Sequence, residues 1–333
     1  MKEEIILRKS ARQRLEVKAS DLEYLAFLEQ QRLLSVQQFY QAYSALFNNR
    51  LKDYSFKNRL RKFEEYNLIR SNYYSNGFEG ERFKYVTVGS KSIELLIENK
   101  FLDGSYNKSK IYKFNQKKNV LHYLATQKAV INILTKLNES LIIELNSKQV
   151  KYGLLYNENL FSISPAHLRY EEWIPEFRNL HRQNKGAFHS KVAKYMTQSN
   201  TSNLRSGKTM TIVKPDWIIK VEPRKKRKPV YLNIELDLST EPIETLTEKV
   251  FKYAIVAENN PEEQHHLCIV IADNSFSNRS QFGTGIKRTQ NIIKRFKEDK
   301  AVMQRIKESS LIVMVHPLSR IEEKIHQNLC KYS

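Results

Sequence analysis

Two short stretches carry residue types whose spacing could do chemistry together. One is Lys214-Pro215-Asp216 and the other Glu235-Leu236-Asp237, and each sits in an apolar, strand-like run, at 210–221 and 230–238 respectively. Residues two apart in a strand face the same side, so Glu235 and Asp237 would project together, and Asp216 on a neighbouring strand could converge with them. Converging carboxylates repel one another unless a cation joins them. Mg2+ suits such a set because it prefers carboxylate oxygens and water, and in phosphodiester cleavage it orients a water and stabilises developing charge. Asp216 and Glu235 are the candidate metal ligands. Lys249, on the helix expected after the second strand, would complete a catalytic set of Asp216, Glu235, Asp237 and Lys249 by polarising the attacking water or holding the scissile phosphate.

The elements that must position these residues alternate between strand and helix patterns. Strand-like runs at 141–145, 152–156 and 160–163 open the region, followed by a loop and short helices to about Gln198. The runs at 210–221 and 230–238 are joined by a tip containing Arg224-Lys225-Lys226-Arg227-Lys228 between two prolines, which must be exposed. A helix over 242–258, a strand over 267–272, a helix over 285–297, a strand over 311–315 and a last helix from Ile321 then follow. Such alternation predicts an α/β sheet that is partly parallel. Glu172 could add a further acid to the site, though nothing in the spacing demands it.

Ahead of this region the pattern is helical. Leu22, Leu25 and Leu28 form one stripe before a break at 33–35, and Val36, Phe39, Tyr40, Tyr43, Leu46 and Phe47 form the face of a second helix with Ser35 as N-cap. A third helix, with Ser55 as its cap candidate, would bury Phe56, Leu60 and Phe63 and present Lys57, Asn58, Arg59, Arg61 and Lys62 on the other side. Strand patterns at 68–74 and 82–88 flank a Gly- and Asn-containing loop, as a hairpin requires. Helix, helix, helix and hairpin is the winged-helix order. In such a module the later helix enters the major groove, where each base pair shows a distinct donor and acceptor pattern. Arg82 and Lys84 of the hairpin would then meet the adjacent backbone or minor groove, while Tyr73, Tyr74, Phe83 and Tyr85 either pack the hairpin or lie along sugars. Arg224, Lys225, Lys226 and Arg227 are a further candidate phosphate contact. The lysine-rich stretch and helix at 111–140 would connect a first domain, 1–110, to a second, 141–333; His122 within that helix is given no chemistry.

Composition narrows the partner. Lys and Arg number 56 against 36 acidic residues, a formal charge of +20 in 333 residues, and an excess of that size answers a polyanion. Double-stranded DNA is the leading candidate. No apolar run reaches the length needed to cross a bilayer, so no membrane partner is expected. Cys268 and Cys330 are the chain's cysteines, in no CxxC spacing, which fits a reducing cytoplasm and neither a disulfide framework nor a zinc site. Ser206-Gly207-Lys208-Thr209 looks like the end of a P-loop but lacks the upstream glycine and precedes a strand. His265-His266 reads as a loop pair.

Pro215-Asp216, Glu235-Leu236-Asp237 after a basic hairpin, and Lys249 with Tyr253 one helical turn on together resemble the PD-(D/E)XK nuclease superfamily. More closely, with Asn119-Val120-Leu121-His122-Tyr123-Leu124 as interdomain helix, the chain resembles the replication-relaxation family of plasmid and mobile-element proteins. In the nuclease pattern a lysine stands two residues after the second acid; here that place holds Asp237, and Lys249 matches the variant in which the lysine has moved to the following helix. The resemblance implies an α/β (α+β overall) fold, with an N-terminal winged helix-turn-helix followed by a restriction-endonuclease-like mixed sheet flanked by helices. It implies a DNA-binding accessory protein acting in replication, DNA relaxation or mobilisation, with a replication or relaxase protein, or a second copy of the chain, as further partner. A Mg-dependent endonuclease, and a transcriptional regulator with an inactive nuclease-like domain, stay open beside it.

Overall fold

In the computed structural model, residues 5–45, 51–75, 82–104, 106, 117–146, 160–163, 215–221, 228–276 and 283–331 are described. The chain divides into two compact units, Met1–Asn157 and Glu158–Ser333. The overall fold is α/β.

The first unit opens with a short antiparallel hairpin, β1 (Ile5–Arg8) and β2 (Arg14–Val17). Helices α1 (Ala19–Gln31), α2 (Val36–Ala45) and α3 (Asp53–Glu65) follow, and β3 (Leu34–Ser35), β4 (Ile69–Ser75) and β5 (Arg82–Val88) make an antiparallel sheet in the order β3-β5-β4. Ser35 starts α2 as its sequence demands: its Oγ accepts from the Gln38 amide at 3.1 Å and the Gln38 side chain accepts from the Ser35 amide at 2.9 Å. The third helix begins at Asp53 and not at Ser55, so that Asp53 lies in the first turn, where a carboxylate meets the positive end of the helix. Its apolar stripe, Phe56, Leu60 and Phe63, is buried, with Tyr24 stacked on Phe63 and Phe39 edge-on to Phe56.

After β5 comes α4 (Ser90–Glu98). The turn into it needs Gly89: a Cβ there would stand 2.0 Å from the Asn67 carbonyl oxygen. The long helix α5 (Lys117–Asn146) belongs to this unit. The Leu124 carbonyl accepts from Gln38 Nε2 at 2.7 Å, and Asn132 Oδ1 from Gln41 Nε2 at 3.1 Å, fixing α5 along α2. The strand expected at 141–145 is instead the last part of this helix. A short apolar run rich in isoleucine and leucine fits either element, and with no Gly or Pro before it the helix simply continues.

The second unit is built on a mixed five-stranded sheet in the order β10-β9-β8-β7-β6, from β6 (Leu160–Ile163), β7 (Trp217–Val221), β8 (Val230–Asp237), β9 (Gln264–Ile271) and β10 (Ile312–Pro317). Strands β8, β9 and β10 are parallel; β7 runs against them, and β6, antiparallel to β7, runs in their direction. The parallel steps are made through α6 (Ile243–Asn259), and then through α7 (Ile286–Glu298) and α8 (Lys300–Ser309), while α9 (Ile321–Lys331) ends the chain. Helix α8 has no counterpart among the elements expected from the sequence; it is short and charged, and its start is capped by Asp299 Oδ1 accepting from the amides of Ala301 and Val302.

Helices α6, α7 and α8 share one core with one face of the sheet, including Val250, Phe251, Ile292, Phe296 and Val302 against Ile218, Leu267, Ile269 and Ile271. Trp217, Ile219, Leu232, Ile234, Cys268 and Val270, which alternate with those positions, are also buried. Burial on both faces explains why these strands read as continuous apolar runs. It also overturns the loop reading of His265-His266, since both side chains are buried within β9, His265 stacked on Tyr231. Among the described residues no helix is long and apolar enough to cross a membrane.

Candidate functional site

Strand register brings two of the expected acids together. Trp217 pairs with Ile234 across the antiparallel β7–β8 ladder, so Asp216, one residue earlier, stands beside Glu235 at the end of β8. Asp216 Oδ2 accepts from the Leu236 amide at 2.8 Å, which locks the loop carboxylate to the strand. Glu235 is buried and held from α6: Tyr253 Oη donates to Oε1 at 2.6 Å and Lys249 Nζ to Oε2 at 3.0 Å. Lys249 and Tyr253 are four apart and share one face of the helix, which is why both reach one carboxylate.

Burial, and then the charge of Asp216, push the Glu235 carboxyl up to about 7, against the opposing pull of Lys249 and Tyr253. Burial works against the Lys249 ammonium, yet its contacts with Glu235 and Glu241 outweigh that cost and its pKa is raised. Lys249 is therefore a fixed positive charge, suited to hold an anion and unsuited to take a proton.

The third acid is directed elsewhere. Asp237 is buried, but its Oδ2 accepts from Arg288 Nε on α7 at 2.8 Å and its Oδ1 from the Glu241 amide at 3.4 Å. The expected three-way convergence of carboxylates is thus corrected to a pair, Asp216 and Glu235, because an arginine from a distant helix draws Asp237 aside. Among the described residues no group of three or more His, Cys, Asp or Glu could hold a metal ion.

Glu241 and Arg288 were not foreseen. Glu241 Oε2 accepts from Lys249 Nζ at 3.0 Å, and its carbonyl accepts from Arg288, so Glu235, Lys249, Glu241, Arg288 and Asp237 form one continuous network, with Asp216 standing beside Glu235. Glu241 precedes the N-cap of α6, a position a sequence reader could have flagged. Arg288 lies 51 residues from Asp237 and carries no local signal.

In the first unit the cations expected to meet DNA are not equivalent. Arg59 is tied to Asp21 on α1, its Nε 3.0 Å from Oδ1 and its Nη2 paired with Oδ2, and it lies over the Phe63 ring. It braces α1 to α3 and does not project outward. Lys57 pairs with Asp53 at 2.6 Å and Lys84 with Glu64 at 3.6 Å, both exposed pairs. Asn58 is half-buried, while Arg61 and Lys62 are exposed. On the hairpin Tyr74 and Tyr85 are buried whereas Tyr73 is 75% exposed, opposite Lys84, whose Nζ stands 5.9 Å from the ring centre. Arg82 pairs with Ser75, the last pair before the loop that joins the two strands. Arg224, Lys225, Lys226, Arg227 and Glu172 lie outside the described residues.

The model of the replication-relaxation family matches residues 25–270. The chain belongs to the replication-relaxation family. The match runs from the middle of α1 through α6 and most of β9, and so includes Asp216, Glu235, Glu241 and Lys249; Arg288 and all of α7 fall beyond it. No curated protein and no solved structure matches this replication-relaxation protein.

Proposed function

We propose that this protein is a DNA-binding accessory factor of a plasmid or other mobile element, acting in replication, DNA relaxation or mobilisation. In this reading the first unit is a winged-helix module whose α3 enters the major groove and whose β4–β5 hairpin lies beside it. The observation that carries it is the division of α3: Phe56, Leu60 and Phe63 go inward while Arg61 and Lys62 stand exposed, directly ahead of an antiparallel hairpin. Family membership and the formal charge of +20 support the same partner. Binding of a duplex by the full chain, weakened about tenfold or more by Arg61→Ala with Lys62→Ala, tests it, since loss of two phosphate contacts also flattens the salt dependence. Absence of duplex binding by the wild-type chain would overturn the reading.

A second reading, a Mg-dependent endonuclease of the PD-(D/E)XK kind, is favoured by one specific observation: a buried carboxylate, a neighbouring acid and a charged lysine meet at the end of β8. The donor set fits a hard cation, because Mg2+ is held by one or two carboxylates and keeps several waters. Asp216 and Glu235 would hold it, and the bound ion would supply positive charge for orienting water and for the developing phosphate charge. Lys249 would bind the phosphate as a permanent cation; Tyr253, donating to Glu235, orients that carboxylate; and Asp237, occupied by Arg288, supports the edge of the site. Incubation of supercoiled plasmid with Mg2+ or Mn2+ separates the readings. Metal-dependent nicking that Asp216→Ala and Glu235→Ala abolish would establish an enzyme; retarded but uncut plasmid would leave an accessory protein. A replication or relaxase protein, or a second copy, remains the proposed further partner.

A further inference from the structure

We propose that the outward face of α7 is a second seat for the backbone of duplex DNA, beginning at the rim of the carboxylate network. The inference rests on the reading of the chain as a DNA-binding protein and names a surface that the family match does not reach. Helix α7 carries Lys287, Arg288, Lys294, Arg295 and Lys297 against a single acid, Glu298. It buries Thr289, Ile292 and Phe296 in the core of the second unit and leaves Lys287, Gln290, Asn291, Lys294, Arg295 and Lys297 exposed.

Three helical cations of this unit are engaged in ion pairs. Arg288 is held by Asp237, Lys249 by Glu235 and Glu241, and Arg305 of α8 by Glu258 at 2.5 Å. On α7, by contrast, Lys294 reaches only Glu298, at 3.8 Å and in solvent, and among the described residues no carboxylate lies within ion-pair distance of Lys287, Arg295 or Lys297. The face is therefore a cluster of cations whose positive charge the fold does not neutralise.

Its placement links it to the carboxylate network. Gly285, at φ 68°, starts the helix so close to the strand ends that a Cβ there would lie 3.4 Å from the Cβ atoms of Asp273 and Pro317. Three residues later Arg288 reaches Asp237. Lys287 thus begins the basic face next to the network, and the helix rise sets Lys294 about 10 Å further on, a length of duplex axis over which one strand presents about three phosphates. Gln290 and Asn291 add donors between the charges. An anionic lipid surface fits this face poorly, because a helix that lies in a membrane needs an apolar side to insert, and the apolar side of α7 is already buried.

The test compares three full-length proteins by fluorescence anisotropy with a labelled duplex between about 50 and 300 mM salt: wild type, Lys287→Gln/Lys294→Gln/Arg295→Gln, and the charge-retaining Lys287→Arg/Lys294→Arg/Arg295→Lys. All substituted positions are exposed, and thermal melts check that folding is unchanged. The expected result is an affinity loss of about tenfold or more for the glutamine variant, a salt slope lowered by about 2 to 3 at roughly 0.9 per phosphate contact, and wild-type behaviour for the charge-retaining variant. An unchanged slope in the glutamine variant, with wild type binding normally, overturns the α7 seat and leaves the DNA-binding reading intact. Equal loss in both variants also overturns it, because charge would not be the cause. Failure of the wild type to bind the duplex overturns both. Loss confined to phosphatidylserine vesicles overturns the assignment to DNA.

Discussion

On α3, Arg61 and Lys62 stand in solvent, and their charged neighbours Lys57 and Lys84 make exposed pairs with Asp53 and Glu64. Around Glu235 the charges are set into the protein: Lys249 pairs with Glu235 and Glu241, Arg288 with Asp237 and the Glu241 carbonyl, and Asp216 is held by the Leu236 amide. Exposed pairs contribute little, typically about 0 to 1 kcal/mol, so the cations of α3 can exchange a carboxylate for a phosphate at small cost. Buried partners cannot be exchanged so freely, because removing one leaves another charge desolvated and alone. The first arrangement suits a surface that must release and re-form contacts, and the second suits a rigid constellation that keeps its geometry. Arg59 lies between the two kinds: it sits among the cations of α3 in sequence but is spent on Asp21 inside the unit.

The contrast can be broken from its strongest side. Lys249→Ala deprives both Glu235 and Glu241 of their cation and is expected to cost about 3 kcal/mol or more of unfolding free energy in urea titrations; a change below about 1 kcal/mol would mean that the network does not hold the unit together. Next comes pH. The Glu235 carboxyl is raised to about 7, so its protonated form is favoured by folding, and its contribution to stability is fully present below about pH 4.5 and lost as pH rises through 7. In metal-free buffer, Glu235→Gln should gain roughly 2 to 3 kcal/mol on wild type between pH 5 and pH 8. A gap that stays constant with pH would show that the carboxyl is not perturbed.

Arg59→Ala should cost about 2 kcal/mol by stranding the buried Asp21 carboxylate, with a small direct effect on duplex affinity; a large affinity loss at unchanged stability would make Arg59 a DNA contact after all. Smallest in stability is Arg61→Ala with Lys62→Ala, expected to shift unfolding by no more than about 0.5 kcal/mol while weakening duplex binding. Together the last two variants separate the bracing cation from the outward ones on a single helix.

The sequence made the ladder of strands and helices in the second unit readable because β8 and β9 are buried on both faces and each crossover helix is amphipathic. It misled at 141–145, where a five-residue apolar run cannot distinguish the end of a long helix from a strand, and at His265-His266, whose polarity suggested a loop although both rings lie in a strand. Of the site, Asp216, Glu235 and Lys249 were legible because strand parity and helix spacing place them. Asp237 was not, since parity says which side it faces but not that Arg288 waits there. The same limit applied to Arg59: helix periodicity puts it beside other cations, and only the packing of α1 on α3 reveals its partner.

Trp217 follows Asp216 directly and is completely buried on β7. The chain's tryptophans are Trp173 and Trp217, and both fall in the second unit, Glu158–Ser333. Indole emission is thus a private optical channel for that half of the molecule, while far-ultraviolet dichroism integrates over both. Heating or denaturant curves recorded the two ways on one sample would separate the melting of the first unit from that of the carboxylate-bearing second unit without dissecting the chain, and cation titrations could be followed at the residue adjoining Asp216 with no dye attached.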